Sequence, residues 1–234
     1  MKSQWQALTA TEVSLKDRLF EALLRDAGMY GGAIRPWELE LLVRVFKTVR
    51  PRRSIEWGLG SGVSAAALGS LRKELGLPGK HIAMDPFQKE CCDDQGLRCL
   101  AAFDTDESVE FHPVFAEDFL VGARARGEKF DFIFVDGCHD TGHKLMDACL
   151  GDSVLNPGGT IAFHDSFFWC TSVALRFLVE ERGYELVETG VEASLRRRLR
   201  GLKHARRLGW KYAFSFAPRI DFSLSFLRKP ANAS

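Results

Sequence analysis

The sequence predicts an α/β protein built on a doubly wound, mostly parallel sheet with helices on both faces. Short apolar runs alternate with segments of helical periodicity along the 234 residues, an order typical of parallel strands joined by crossover helices. Residues 130–135 form an almost continuous apolar run, as expected for a central strand buried on both faces. A glycine-rich turn at residues 58–62 follows the first predicted strand, where such sheets hold nucleotide-like ligands.

The composition is that of a globular protein with one large domain. Hydrophobic residues make up 46% of the chain and charged residues 27%, which is ordinary for such proteins. Lysine and arginine total 32 against 31 aspartates and glutamates, so the overall charge argues against a nucleic-acid partner. The sequence shows no membrane-length apolar run and no signal peptide, and we expect a cytoplasmic protein. The spacing of the six cysteines matches neither a zinc module nor a disulfide framework.

The predicted organisation begins with a helical preface. Residues 11–27 have helical periodicity, and Pro36 opens a second helix at a position where proline is tolerated. We expect this preface either to cover the ligand site or to pack on the core. The predicted divisions are a preface at 1–50, a core domain at 51–190, a basic insertion at 191–220, and a last strand with its tail at 221–234.

The glycine-rich turn at residues 58–62 differs from a dinucleotide-binding loop. A dinucleotide loop has the spacing G-x-G-x-x-G, but Val63 stands where the third glycine is required, which disfavours a dehydrogenase. Glu56 instead precedes glycines that alternate with other residues. Because glycine has no Cβ, its backbone can turn sharply and approach a ligand closely. A structural turn without a ligand is the alternative for this loop.

Further strands and helices alternate after this loop. The predicted strands are 55–57, 81–84, 109–112, 130–135, 160–163, 184–187 and 222–227. The predicted helices are 64–75, 142–155 and 169–181, with one more opening at residue 116. A weaker helix is predicted at 91–103, with an irregular stretch at 93–96. In the helix 142–155 the residues expected to face inward are Leu145, Met146, Cys149 and Leu150.

Residues that follow the second and third predicted strands are suited to an adenosine ligand. Asp85 ends the second predicted strand, and its carboxylate can accept hydrogen bonds from both ribose hydroxyls; the alternative is a capping or turn residue. Phe87 could place a ring against the adenine. Ala116 and Glu117 open a later helix, where they could contact the adenine or, for the acid, only complement the helix dipole.

Polar residues follow the fourth and fifth predicted strands. They are Asp136 and His139 after one strand and His164 and Asp165 after the next. Because the carboxyl ends of parallel strands meet at one edge of a sheet, we expect these side chains to lie together near the ligand. Imidazole exchanges protons readily near neutral pH, so His139 is the candidate general base. A surface or capping histidine is the alternative.

In this order the motifs resemble a class I S-adenosylmethionine-dependent methyltransferase. The blocks at 130–139 and 157–165 more specifically resemble the catechol O-methyltransferase-like, methyltransferase-24-like branch. The resemblance implies a Rossmann-like, seven-stranded sheet whose last strand is antiparallel. It also implies S-adenosylmethionine as cofactor and O-methylation of a small-molecule hydroxyl, such as a natural product, a phenol or a sugar.

The resemblance also implies roles for individual residues. By position, the methionine part of the cofactor would be held by Glu56, Gly58 and Gly60, the ribose by Asp85, and the adenine by Phe87, Ala116 and Glu117. The branch has metal ligands at the positions of Asp136, His164 and Asp165, and a basic catalytic residue at that of His139, which acts beside Asp136. His164 stands where the branch has an acid. This departure shifts the expected metal from magnesium toward manganese, iron or zinc, or indicates a metal-free site.

Other functions and partners stay open at this level. A nucleic-acid methyltransferase would need a basic groove with interleaved aromatic residues. A non-catalytic S-adenosylmethionine-binding module is disfavoured by the intact Asp136 and His139. The expected partner is a small-molecule acceptor, for which an anionic or glycan-linked molecule is one alternative. Both a monomer and a homo-oligomer stay open.

A basic segment at residues 195–210 follows the sixth predicted strand. Leucines recur there at helical spacing, and the segment contains no acid. Its basic residues are Arg196, Arg197, Arg198, Arg200, Lys203, Arg206 and Arg207. We expect an amphipathic helix that is either simply solvated or recognises an anion: a phosphate- or carboxylate-bearing acceptor, a lipid-linked glycan or an anionic membrane surface.

Overall fold

The computed structural model describes residues 34–166, 168–187, 189 and 223–232. Seven strands are present in this part of the chain: β1 Ser54–Trp57, β2 His81–Met84, β3 Val109–His112, β4 Phe130–Val135, β5 Leu155–His164, β6 Glu185–Leu186 and β7 Leu224–Arg228. The α-helices are α1 Pro36–Val49, α2 Val63–Glu74, α3 Gln88–Cys92, α4 Gln95–Ala102, α5 Ala116–Ala125, α6 Thr141–Val154 and α7 Trp169–Arg176. A π-helical turn, Phe177–Glu181, extends α7.

The strands form one sheet in the order β3-β2-β1-β4-β5-β7-β6. Strands β1 to β5 pair in parallel, whereas β7 runs antiparallel to both β5 and β6. The doubly wound, mostly parallel sheet with an antiparallel last strand is therefore confirmed. The strand order reverses between β1 and β4, which is where open sheets of this kind leave a crevice for a ligand.

Strand β4 connects the two hydrophobic layers of the domain. Phe132 and Phe134 face one side, where they pack with α1 and α2, and Ile133 and Val135 face the other side with α6. All four side chains are fully buried. This burial on both faces explains the uninterrupted apolar run in the sequence.

Helix α1 belongs to the core. Pro36 occupies its first turn, and Leu39, Leu42 and Phe46 are fully buried against the sheet and α2. The Phe46 ring meets the edge of Phe132 with ring centroids 5.2 Å apart. This part of the predicted preface therefore packs on the domain. The predicted helix at 11–27 and the basic segment at 195–210 lie outside the described residues.

The structure corrects two boundaries and one helix face. Strand β5 begins at Leu155 and includes the predicted turn at 156–159, because a register shift in the ladder with β4 absorbs the extra residues. Strand β6 is limited to Glu185–Leu186. The inward face of α6 was predicted correctly only in part: Leu150 packs against the core, whereas Cys149 is exposed. The residues of α6 that are buried are Lys144, Asp147, Ala148, Gly151 and Val154.

None of the helices within the described ranges is long and apolar enough to cross a membrane.

Candidate active site

A cavity of about 840 Å³ lies at the carboxyl ends of β1, β2 and β4. It occupies the crevice at which the strand order reverses, as expected for the ligand site of such a sheet. Its walls include most of the residues that the sequence predicted for the site: Gly58, Gly60, Asp85, Phe87, Ala116, Glu117, Asp136, His139 and Asp165. The fold therefore brings these residues, distant in sequence, to one surface.

Gly58 is required where β1 meets the end of β4. Its φ of 95° is in the left-handed region, and a Cβ built there would lie 2.2 Å from the carbonyl oxygen of Asp136. Any larger residue would force the two strand ends apart. The glycine thus keeps the glycine-rich turn at residues 58–62, called the cofactor loop after its predicted ligand, close to the polar residues that follow β4.

Asp85 is fixed by hydrogen bonds before any ligand binds. One carboxylate oxygen accepts from the backbone N–H of Phe87 at 2.9 Å, and the other from that of Gly60 at 2.9 Å. The side chain is nearly buried but still lines the cavity. A carboxylate oxygen has two lone pairs, so Asp85 keeps acceptor capacity toward the cavity.

Glu56 lies beneath the cofactor loop and does not line the cavity. Its carboxylate accepts a hydrogen bond from the Ser64 hydroxyl at 3.1 Å, and it faces His81 Nε2 at 3.1 Å, with both members of that pair fully buried. Ser64 does line the cavity. The geometry therefore connects Glu56 to the cavity through Ser64.

Aromatic rings stand at the cavity mouth. Phe87 and Phe115 meet edge to face with centroids 5.5 Å apart, and both are partly exposed. Ala116 and Glu117 follow Phe115 in the first turn of α5. An apolar slot beside an acid suits a flat heterocycle that carries hydrogen-bond donors.

His164 stands among three carboxylates. Its Nε2 lies 3.2 Å from Glu38 Oε2, and its Nδ1 lies 2.9 Å from Asp136 Oδ1 and 3.5 Å from Asp165 Oδ2. Burial by itself would lower the pKa of His164, but Asp136, Asp165 and Glu38 outweigh it and raise that pKa to about 12. The imidazole is thus a buried cation at neutral pH.

Asp165 lies between His164 and His139, the candidate general base. Its backbone φ of 53° places it in the left-handed region, which is unfavourable for a residue with a Cβ. The carboxylate Oδ2 lies 3.5 Å from His139 Nδ1. His139 in turn is half exposed at the cavity wall and lies against the ring of Phe168, with centroids 5.3 Å apart.

The possible metal ligands that the structure brings together differ from the predicted set. The ring nitrogens of His164 lie 3.2 Å from Glu38 Oε2 and 2.9 Å from Asp136 Oδ1, and a ring that carries both protons has no lone pair for a metal. The ligand atoms of Asp136, His139 and Asp165 do lie within 4.8 Å of one another. A metal there would use His139 instead of His164.

A second group of possible metal ligands lies at the start of α6. Cys138 donates a hydrogen bond to Asp140 at 3.0 Å, and Asp140 also accepts from the backbone N–H of His143 at 3.0 Å. All three side chains are exposed. Asp140 caps the helix, and the group is accounted for by that role.

Three further residues of the site were not predicted from the sequence. Glu38 reaches His164 from α1, 126 residues away, and no local pattern distinguishes it. Gln88 contacts the cofactor loop from α3. Asp147 lines the cavity from α6, and its burial raises its pKa to about 6. The signal for Asp147 would have been a carboxylate on the buried face of a helix.

The fold, the cavity at the strand switch and the polar cluster after β4 and β5 are those expected of a class I S-adenosylmethionine-dependent methyltransferase, the class that this chain resembles. Residues 55–166 match the Methyltransf_24 family model, described as a methyltransferase domain. This match confirms the predicted resemblance to a methyltransferase domain of the methyltransferase-24-like branch.

Solved structures with the same fold share little sequence with this chain. An O-methyltransferase from Bacillus cereus in complex with S-adenosylhomocysteine is 18% identical, with a TM-score of 0.57 over 73% of this chain and 79% of that one. An O-methyltransferase of tomaymycin synthesis from Streptomyces achromogenes, in complex with S-adenosylmethionine, is 16% identical, with a TM-score of 0.53 over 97% of this chain and 92% of that one. A methyltransferase from Podospora anserina, bound to S-adenosylhomocysteine, is 13% identical, with a TM-score of 0.58 over 97% of this chain and 90% of that one. No curated protein matches this sequence.

Proposed function

We propose that the protein transfers the methyl group of S-adenosylmethionine to a hydroxyl of a small molecule. The observation that supports this most directly is the position of His139, on the wall of the cavity that also contains Asp85 and the glycine loop. A cofactor bound along this cavity would have its adenosine near Asp85 and its sulfonium near His139. The similar structures named as O-methyltransferases are consistent with this reaction.

The reaction requires alignment and removal of one proton. The acceptor oxygen attacks the sulfonium methyl carbon, the S–C bond breaks as the O–C bond forms, and S-adenosylhomocysteine leaves as a neutral thioether. His139 takes the hydroxyl proton and later releases it to solvent. Asp165, 3.5 Å from His139 Nδ1, orients the ring and stabilises its charged form. Holding donor and acceptor in line supplies the rest of the acceleration.

In this proposal His164 takes no proton and binds no metal. It is held between Glu38 and Asp136, and its positive charge balances carboxylates that would otherwise repel one another. Asp136 is thereby fixed at the cavity wall, close to the base. No step of the reaction depends on a metal ion.

Methyl transfer is therefore expected to persist in a chelator. The experiment uses protein confirmed to be metal-free by elemental analysis and a panel of phenols, sugars and nucleotide-linked sugars as acceptors, with product detected by mass spectrometry. We expect at least one acceptor to be methylated at the same rate with and without chelator. Loss of activity in chelator, restored by manganese or magnesium, would contradict the metal-free mechanism. Absence of any methylated product across a wide panel would contradict O-methylation.

Asp85→Ala is expected to weaken cofactor binding. The ribose hydroxyls would lose a charged acceptor, a contribution of roughly 1.5–3 kcal/mol, which corresponds to about a 10- to 150-fold higher Kd. Isothermal titration with S-adenosylhomocysteine measures this directly. Asp93→Ala is a suitable control, since Asp93 is an exposed aspartate at the end of α3 and does not line the cavity. An unchanged Kd for Asp85→Ala would show that Asp85 only shapes the turn.

A further inference from the structure

The Gln88 side chain connects the cofactor loop with Asp85 and with the first turn of α4. Its side-chain Nε2 donates to the carbonyl oxygen of Gly60 at 2.8 Å and to Asp85 Oδ2 at 3.0 Å. Its Oε1 accepts from the backbone N–H of Gly96 at 3.1 Å. The residue is only 3% exposed. Both N–H groups and the oxygen of the amide are therefore engaged, and none is directed to solvent.

The segments that Gln88 joins are packed without spare room. A Cβ added to Gly96 would lie 2.8 Å from the Gly60 carbonyl oxygen and 2.8 Å from the side chain of Leu59. A Cβ added to Gly62 would lie 2.5 Å from the Gly96 carbonyl oxygen. The first turn of α4 thus rests directly on the cofactor loop. In such contact a displacement of one segment displaces the other.

Gln88 itself does not line the cavity, whereas Gly60 and Asp85 do. Its two donors go to one atom of each of these residues. Gly60 also donates its own N–H to Asp85 Oδ2 at 2.9 Å, which closes a small ring of hydrogen bonds. The position of the loop relative to the Asp85 carboxylate is therefore set from behind by the glutamine amide.

We propose that Gln88 is a positioning residue for the cofactor, which holds the glycine loop and Asp85 in their binding geometry before the ligand arrives. This inference rests on the proposed S-adenosylmethionine site. Without the amide, the loop and the carboxylate are free to separate, and binding must supply the cost of ordering them. Removing the amide should therefore lower the affinity for the cofactor and leave the methyl-transfer step unchanged, because Gln88 contacts Gly60 and Asp85 and does not line the cavity.

The test compares Gln88→Ala with Gln95→Ala. Gln95 is a matched control: it is a glutamine of equal burial, 3% exposed, on the adjoining helix α4, and its Oε1 has no hydrogen-bond partner among the described residues. Gln88→Met, nearly equal in shape but without an amide, separates hydrogen bonding from packing and serves if the alanine variant does not fold. The measurements are the Kd for S-adenosylhomocysteine by titration calorimetry, the thermal midpoint without ligand, and kcat at saturating S-adenosylmethionine.

We expect the Kd to rise about 10- to 100-fold in Gln88→Ala and Gln88→Met. The kcat at saturating cofactor should stay within about twofold of the wild type. Gln95→Ala should keep the wild-type Kd, whatever its thermal midpoint. An unchanged Kd in both Gln88 variants would overturn the proposal. So would equal losses of affinity in the Gln88 and Gln95 variants, since these would reflect general destabilisation. If the wild type bound no S-adenosylhomocysteine, the proposed function would fail first and this inference with it.

Discussion

His139→Ala is expected to slow methyl transfer by about 10²- to 10⁴-fold, the range that a general base contributes. His139 lies at the cavity wall, with its Nδ1 3.5 Å from the carboxylate of Asp165, the residue that follows β5. Removing the imidazole leaves the acceptor hydroxyl without a group to take its proton. In the proposed binding mode the adenosine lies at Asp85 and Phe87, so cofactor affinity should change little.

The measurement is kcat at saturating S-adenosylmethionine together with the Kd for S-adenosylhomocysteine. His112→Ala provides a control, because His112 is a partly exposed histidine at the end of β3, paired with Glu110 and outside the cavity wall. Imidazole added to the His139→Ala enzyme should restore part of the rate. Equal losses in rate and in affinity would show that His139 only supports the fold, and an unchanged rate would remove it from the mechanism.

His164→Ala is expected to destabilise the folded protein by about 3–5 kcal/mol, the usual cost of removing one partner from a buried charge cluster. The side chains of Glu38 and Asp136, 3.2 Å and 2.9 Å from the ring, would face each other without the cation between them. Asp165, 3.5 Å away, adds to the repulsion. Chemical denaturation measures the free energy of unfolding for both proteins.

The pH dependence of this effect has a definite sign. The folded state raises the pKa of His164 from 6.5 to about 12. The contribution of His164 to the free energy of unfolding is therefore fully present below pH 6.5 and declines as the pH rises toward 12. Between pH 7 and pH 9 the difference in unfolding free energy between the wild type and His164→Ala should shrink by roughly 1.4 kcal/mol for each pH unit.

An exposed pair gives the matching control for His164. His143 contacts Asp140 at the start of α6, with both side chains about half exposed. Pairs in such positions contribute about 0–1 kcal/mol, so His143→Ala should change stability far less. A loss of less than about 1 kcal/mol in His164→Ala, or a difference that does not depend on pH, would show that the ring is not the cation that holds the carboxylates.

The elements predicted most accurately were those whose signal is local. Strand β4 was predicted at its observed boundaries because burial on both faces demands an uninterrupted apolar run. The glycine-rich turn at residues 58–62 and Asp85 were predicted to lie at strand ends, and the structure places Gly58, Gly60 and Asp85 together on the cavity wall. These features require no knowledge of what packs against them.

The features that were missed depend on contacts between distant segments. Glu38 belongs to the site only because α1 packs beside β5, and its partner His164 is 126 residues away. On α6 the most buried residues include Lys144 and Asp147, which a search for an apolar stripe does not select. The role of His164 could not be read from its position either. The family resemblance implies a metal ligand there, whereas the structure places the ring among the carboxylates of Glu38, Asp136 and Asp165.

Titration of the wild-type protein with S-adenosylhomocysteine and, separately, with NAD tests the central claim most directly. The claim is that the cavity between the glycine loop, Asp85 and His139 is a methyltransferase cofactor site. It predicts one saturable site for S-adenosylhomocysteine, weakened in Asp85→Ala, and no binding of NAD. Binding of NAD without binding of S-adenosylhomocysteine, or no binding of either, would contradict the account.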